Sequence, residues 1–379
     1  MLQAGLAGVE GRRCVREALL ARPPAARCGP VWAAAVGKAA ASMALGAADA
    51  LGSSLERVLI VTKSGHLAPE LPSLPGIEIH ESAHPVPDER SLAAGRRLLQ
   101  WLGEVPPAVS PLFLISGGAS SLVEVLAPGV SLAQLEELSA RWLAEGVAIA
   151  ELNGRRARLS RIKGGRLAEE LAGREALALF ISDVPDDDPA VIGSGLLGPA
   201  AAGPDRIERQ VIASIDHAME GVAAAALQRG LTVECVRLRF AGEATRLAAR
   251  FAHELLIGNT QVRVWGGEST VRLPPRPGHG GRNQHLALAA CKLFAGYPDL
   301  SLLAAGTDGT DGPTEAAGGL VDADTCGRLA LAGLDADDCL ARADSGTALS
   351  AVGALVHTGP TGTNVADLVI GLKLPRAGT

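Results

Sequence analysis

Aromatic side chains are nearly missing from this sequence. Four Trp, one Tyr and five Phe make up 3% of its 379 residues. With apolar residues at 47%, Ala, Val, Leu and Ile must fill the interior, and these suit helices packed closely on parallel strands. A surplus of positive charge is missing too. The formal net charge is −6, from 41 acidic against 35 basic residues, which excludes the basic footprint of a nucleic-acid or anionic-membrane partner. No run reaches the ~18 uncharged apolar residues that span a bilayer. Arg12, Arg13 and Arg16 interrupt the N-terminal stretch, so neither leader nor anchor is read there. The six cysteines, Cys14, Cys28, Cys235, Cys291, Cys326 and Cys339, include no C-x-x-C pair. Such spacing fits neither a zinc site nor a disulfide framework, and it points to buried free thiols in a reducing cytoplasm.

Lysine and asparagine are scarce as well. Only Lys38, Lys63, Lys163, Lys292 and Lys373 stand against 30 Arg, and only Asn153, Asn259, Asn283 and Asn364 occur. A Lys retained in an Arg-biased chain is more informative than one among many, because the two cations are not interchangeable. Several catalytic motifs are absent: no G-x-S-x-G elbow and no H-E-x-x-H. Gly37-Lys38 is not a Walker loop, since Trp32 stands where the first Gly belongs and Ala39 follows the lysine. Gly193-Ser194-Gly195-Leu196-Leu197-Gly198 has the G-x-G-x-x-G spacing. Pro185 to Pro189 separate it from the preceding strand and Pro199 follows at once, so it is rejected as a dinucleotide fingerprint.

The chain exceeds one ordinary hydrophobic core, and two domains are expected, 1–258 and 259–379. Its first part alternates apolar strands (31–36, 57–62, 77–80, 111–115, 176–182, 210–215 and 231–238) with helices (1–21, 39–51, 88–102, 131–145, 216–229 and 243–257). That alternation predicts an α/β fold with a doubly wound, mostly parallel sheet. The second part reads as a hairpin-like pair (261–266 and 270–273), a helix over 284–294 and a strand over 300–305. Helices over 325–332 and 345–354 and a last strand over 367–374 complete it.

Glycine-rich polar loops follow the strands, where α/β proteins place ligands. Lys38 sits between a strand and a helix. Ser116, Gly117, Gly118 and Ser120 form a turn whose backbone N–H groups suit an anion. Asp183 ends a strand and is a candidate base or magnesium ligand. Glu268 and Arg282 are candidates for an ion pair or for a two-pronged clamp on a carboxylate or phosphate. Asp308 and Asp311 lie in Gly306-Thr307-Asp308-Gly309-Thr310-Asp311-Gly312. Thr361 and Asn364 close a final loop suited to phosphate or ribose. Any one of these loops can be an ordinary turn, the better reading for 306–312 taken alone; five in one chain are hard to explain as turns alone.

Eight segments then resemble one family: VGKAAASMA (36–44), LISGGASSL (114–122), LSRIKGGRLA (159–168), ISDV (181–184), GGESTV (266–271), GHGGRNQ (278–284), GTDGTDGPTEAAGG (306–319) and TGPTGTNVADL (358–368). In this order they are similar to the type II glycerate kinases, the glycerate 2-kinases with a MOFRL C-terminal domain. The resemblance implies a Rossmann-like N-terminal domain, a smaller α/β MOFRL domain and an active site in the cleft between them. It implies ATP-dependent phosphorylation of D-glycerate at the 2-hydroxyl with Mg²⁺, in a cytoplasmic monomer or homodimer. Glycerate and ATP would be the only partners, without nucleic acid or membrane. It carries the family's Lys onto Lys38 and its Glu and Arg onto Glu268 and Arg282. Lys38 and Arg282 would then meet the substrate carboxylate and the transferring phosphoryl. Ser116–Ser120 and the loop from Thr361 to Asn364 would meet nucleotide phosphates, and Lys163 would add charge or cap a helix. Asp183 or Asp308 would hold Mg²⁺. One of Asp183, Asp308 and Asp311 would orient or deprotonate the hydroxyl. The chain departs from the family pattern at Leu196, Leu197, Asp216, His285 and Ala366, which bears on substrate choice and activity. Two other readings stand beside the kinase: a hydroxypyruvate reductase-type oxidoreductase, and a non-catalytic binder of sugar acids or nucleotides.

Overall fold

The computed structural model describes residues 1–22, 29–144, 149–200 and 202–374. Cys28 and the expected helix end at Glu145 lie outside them. The chain forms two compact units. The first comprises Val9–Ser214 and Gly362–Asn364; the second comprises Met1–Gly8, Ile215–Thr361 and Val365 onward.

The first unit is built on six parallel strands: β1 (Val31–Val36), β2 (Leu55–Lys63), β3 (Ile77–Ser82), β4 (Ser110–Ile115), β5 (Ala176–Ile181) and β6 (Ile207–Ala213). Their order is β3-β2-β1-β4-β5-β6. The doubly wound expectation holds for this unit. β1 reads VWAAAV, and Ala33 to Val36 are fully buried, because a parallel sheet covered on both faces takes apolar residues throughout. The rare aromatics anchor this core: Trp101 lies 6.2 Å from both Trp32 and Phe113, ring centre to ring centre.

The second unit carries β7 (Val233–Glu243), β8 (Val262–Thr270), β9 (Leu300–Gly306), β10 (Gly318–Asp322), β11 (Leu355–Val356) and β12 (Asp367–Lys373). They are ordered β11-β10-β9-β12-β8-β7. Only β7 and β8 pair in parallel; the remaining pairs are antiparallel. Phe240 packs edge-on against Phe251, which packs on Trp265, with centroids 5.3 and 4.6 Å apart.

In the second unit β7 pairs with β8, and the helices Ile215–Leu227 and Ala244–Ile257 pack on that sheet. Two expectations about elements are corrected. The helix expected over 1–21 is two helices, Leu2–Gly8 and Gly11–Leu20. Glu10 starts the second by accepting from the amides of Arg12 and Arg13. The hairpin expected around Gly266-Gly267 is one continuous strand, β8. A Cβ on Gly267 would stand 2.1 Å from Phe240 O, so the glycine admits a neighbouring strand and makes no turn. Among the described cysteines, Cys14, Cys291 and Cys339 are buried free thiols, as expected, although Cys291 Sγ lies 2.7 Å from Cys326 Sγ.

Candidate active site

In the first unit strand order reverses between β1 and β4, and open α/β sheets bind ligands outside the carboxyl ends of the strands at such a point. Lys38 follows β1, and Ser116 to Gly118 follow β4. The two turns are stitched together. Lys38 N donates to Gly117 O at 3.0 Å, and Ala39 N donates to Ser116 Oγ at 3.1 Å. Gly37, at φ +134, cannot be replaced, because its Cβ would lie 2.1 Å from Ser116 Oγ.

Asp183, two residues beyond β5, joins the same edge. Its Oδ2 accepts from Asn364 Nδ2 at 3.2 Å. Gly117 makes room for both: a Cβ there would sit 2.0 Å from Asn364 Nδ2 and 2.2 Å from Asp183 Oδ2. Lys38, Ser116, Gly117, Gly118, Asp183 and Asn364, expected from separate segments, are thus neighbours. The serine hydroxyls are turned into the protein. Ser116 braces the Lys38 turn, and Ser120 Oγ lies 2.6 Å from Ser194 Oγ. The sequence reading missed His84, at the end of β3. Its ring and the Lys38 chain both pack on Gly118, whose Cβ would stand 3.1 Å from His84 Cδ2 and 3.2 Å from Lys38 Cγ. A His-Pro step just past a strand was the available signal.

Lys163 does not belong with them. It is 2% exposed and pairs with Glu124, itself 1% exposed. Burial pushes the ammonium's pKa down, and the carboxylate opposes that shift. The expected charged or capping loop residue is the cation of an interior ion pair.

In the second unit the helix Arg282–Leu293 begins beside the ends of β8 and β9. Arg282 Nη1 pairs with Glu268 and donates to Ser269 O at 3.1 Å; Nη2 lies 3.4 Å from Asp367 Oδ2. Burial opposes the guanidinium's charge, but Asp367 and Glu268 outweigh it and raise its pKa. Asp367, absent from the expected set, opens β12 and is buried; burial pushes its carboxyl up to about 7, against the pull of Arg282.

Asp311 caps a helix. Oδ1 accepts from Asn283 N at 3.0 Å and Oδ2 from Gln284 N at 2.8 Å, so it supplies from another loop the cap that Gly281 lacks. Burial pushes it up to about 6, with the two amides opposing. Asp308 is also turned inward, its Oδ1 accepting from Thr310 N and Oγ1 at 3.0 and 3.1 Å. Thr361 donates its hydroxyl to Thr307 O at 2.5 Å and ties the last loop to the one after β9. Among the described residues no group of three or more His, Cys, Asp or Glu is placed to cage a metal.

The departures from the family pattern are absorbed locally. Leu196 and Leu197 fill the first core. Asp216 pairs with Arg239 at 2.5 Å. His285 is buried 3.4 Å from Thr245 Oγ1, and burial lowers its pKa. Ala366 takes φ +71, a left-handed conformation that costs an alanine energy.

The fold and these loops define a two-domain class. The model of the domain of unknown function DUF4147 matches residues 1–227, and the MOFRL family model matches 261–367. The chain belongs to this DUF4147–MOFRL family, which includes the glycerate 2-kinases. It is 36% identical to a D-glycerate 2-kinase of Thermotoga maritima, over 95% of this chain and 94% of that one. A relative from Agrobacterium vitis, 35% identical over 88% and 96%, carries the provisional name hydroxypyruvate reductase. A crystal structure of a glycerate kinase from Thermotoga maritima superposes with a TM-score of 0.86 at 34% identity, over 98% and 97% of the two chains.

Proposed function

We infer that this chain is a glycerate 2-kinase: it transfers the γ-phosphoryl of ATP to the 2-hydroxyl of D-glycerate, giving 2-phosphoglycerate and ADP. The full-length likeness to a D-glycerate 2-kinase carries the reading. The arrangement of groups supports it, because phosphoryl transfer asks for positioning and charge neutralisation more than for covalent chemistry. Lys38 is assigned to the transferring phosphoryl and Arg282, kept cationic by its carboxylates, to the glycerate carboxylate. Glu268 holds Arg282 from the solvent side. The backbone of 116–120, left-handed at Gly118, is assigned to nucleotide phosphates, with the Thr361 to Asn364 loop beside them in that role.

The residues suit Mg²⁺, which takes one or two protein carboxylates and completes its shell with water and phosphate oxygens. Asp183, half-exposed and steered by Asn364, is the better ligand of the two candidates, since Asp308 is turned onto Thr310. When bound, the ion neutralises charge on the phosphates.

The reductase reading has the Agrobacterium vitis name in its favour. Its only candidate fingerprint has the wrong geometry. Gly193, Ser194 and Gly195 are all left-handed, at φ +59, +60 and +68, around a one-turn 3₁₀ segment that no helix follows. Incubation with D-glycerate and Mg-ATP tests the kinase, with ADP release as the readout. NADH consumption with hydroxypyruvate supports the reductase. Thermal stabilisation by glycerate without ADP release supports the non-catalytic binder.

A further inference from the structure

Arg282 has two carboxylate partners of opposite character. Asp367 is 3% exposed and held by the sheet: the antiparallel register of β12 sets it opposite both Gly267 of β8 and Gly306 of β9. A residue at the start of a central strand, paired on both sides, has little freedom to move. Its Oδ2 has no hydrogen-bond partner and faces Arg282 Nη2 at 3.4 Å, so the guanidinium supplies its charge compensation. A buried carboxylate is stranded if its cation leaves. Glu268 is 57% exposed and pairs with Nη1 on the other side. Exposed ion pairs contribute little, so that contact can be exchanged for another carboxylate at small cost.

We propose that Asp367 is a positioning residue that fixes the Arg282 guanidinium for an incoming acid, while Glu268 is the exchangeable partner that the acid's carboxylate replaces. The inference rests on the assignment of Arg282 to the glycerate carboxylate. The fork of Arg282 can engage one carboxylate with two parallel N–H groups only if its plane is held from behind. Asp367 does the holding at Nη2, and Glu268 occupies Nη1 until a ligand arrives.

The test uses the full-length protein and D-glycerate with Mg-ATP. Asp367→Asn keeps shape and removes charge. It is expected to raise the glycerate KM tenfold or more while the ATP KM stays within twofold, and a purely structural residue would not separate the two. Arg282→Lys is expected to raise the glycerate KM alone, and adding Asp367→Asn to it is expected to change that value by less than twofold. Glu268→Gln, at an exposed position, is expected to lower the glycerate KM several-fold. An Asp367→Asn glycerate KM within twofold of the wild type, with Arg282→Lys raised, overturns the proposal alone. An Arg282→Lys value equal to the wild type overturns the assignment of Arg282 itself. A raised KM in Glu268→Gln overturns the exchange.

Discussion

Gly117 makes the sharpest single-residue case. It stands where Asp183 and Asn364 close on the turn after β4, and any Cβ meets both near 2 Å. Gly117→Ala should keep the fold and lower glycerate turnover about 100-fold, the penalty typical of a displacement of about 1 Å in a reacting site. Steady-state kinetics on the folded variant checks this, and unchanged turnover would remove the turn from the site. Lys38→Met should abolish turnover without lowering the melting temperature. Lys38, Ser116 and Asp183 were legible in the sequence because each follows an apolar run that ends in a polar, glycine-rich turn. Asp367 and His84 were not. Asp367 begins an apolar strand and shows its role only when β12 lands between β8 and β9. Ala366, beside it, offers a stability test. It is left-handed where the family often has Asn, which tolerates that conformation, so Ala366→Asn should stabilise by about 0.5–1 kcal/mol. A fall in melting temperature would contradict the strain assigned to it.

At the scale of elements, every strand of the first sheet was legible in the sequence, as were β7, β9 and β12 of the second, whereas β8 was split and β10 and β11 were missed. Parallel strands buried on both faces are continuous apolar runs, easily seen. β10 was hidden because Gly318-Gly319 prolongs a glycine-rich loop, and β8 was split because paired glycines usually turn the chain. Burial was equally hidden at Lys163, where a basic surface segment was expected. Lys163→Met strands Glu124 in the interior and should destabilise by about 3–5 kcal/mol. A normal melting temperature with lost activity would instead return Lys163 to the site. The start of the helix Arg282–Leu293 depends on Asp311. Asp311→Asn turns an amide N–H toward Gln284 N and should cost about 1–3 kcal/mol. The pH dependence carries a sign. Burial raises this carboxyl to about 6 from its ordinary 3.8, so its contribution to stability is full below about pH 4 and lost as pH rises through 6. The melting-temperature gap between wild type and variant should therefore be widest near pH 4 and shrink toward pH 8. His285, whose pKa is lowered, opposes this trend in both proteins and cancels in the difference.

At the scale of the molecule, order along the chain and membership in the units do not coincide. The helix Leu2–Gly8 belongs with the second sheet, and Gly362–Asn364 belongs with the first. Asn364 reaches Asp183 because of that return of the chain. The proposed reaction is itself the most direct test. The purified protein, given Mg-ATP and D-glycerate, should release ADP and a product whose phosphorus NMR spectrum identifies 2-phosphoglycerate. Release of 3-phosphoglycerate, or oxidation of NADH by hydroxypyruvate with no ADP formed from glycerate, would contradict the account.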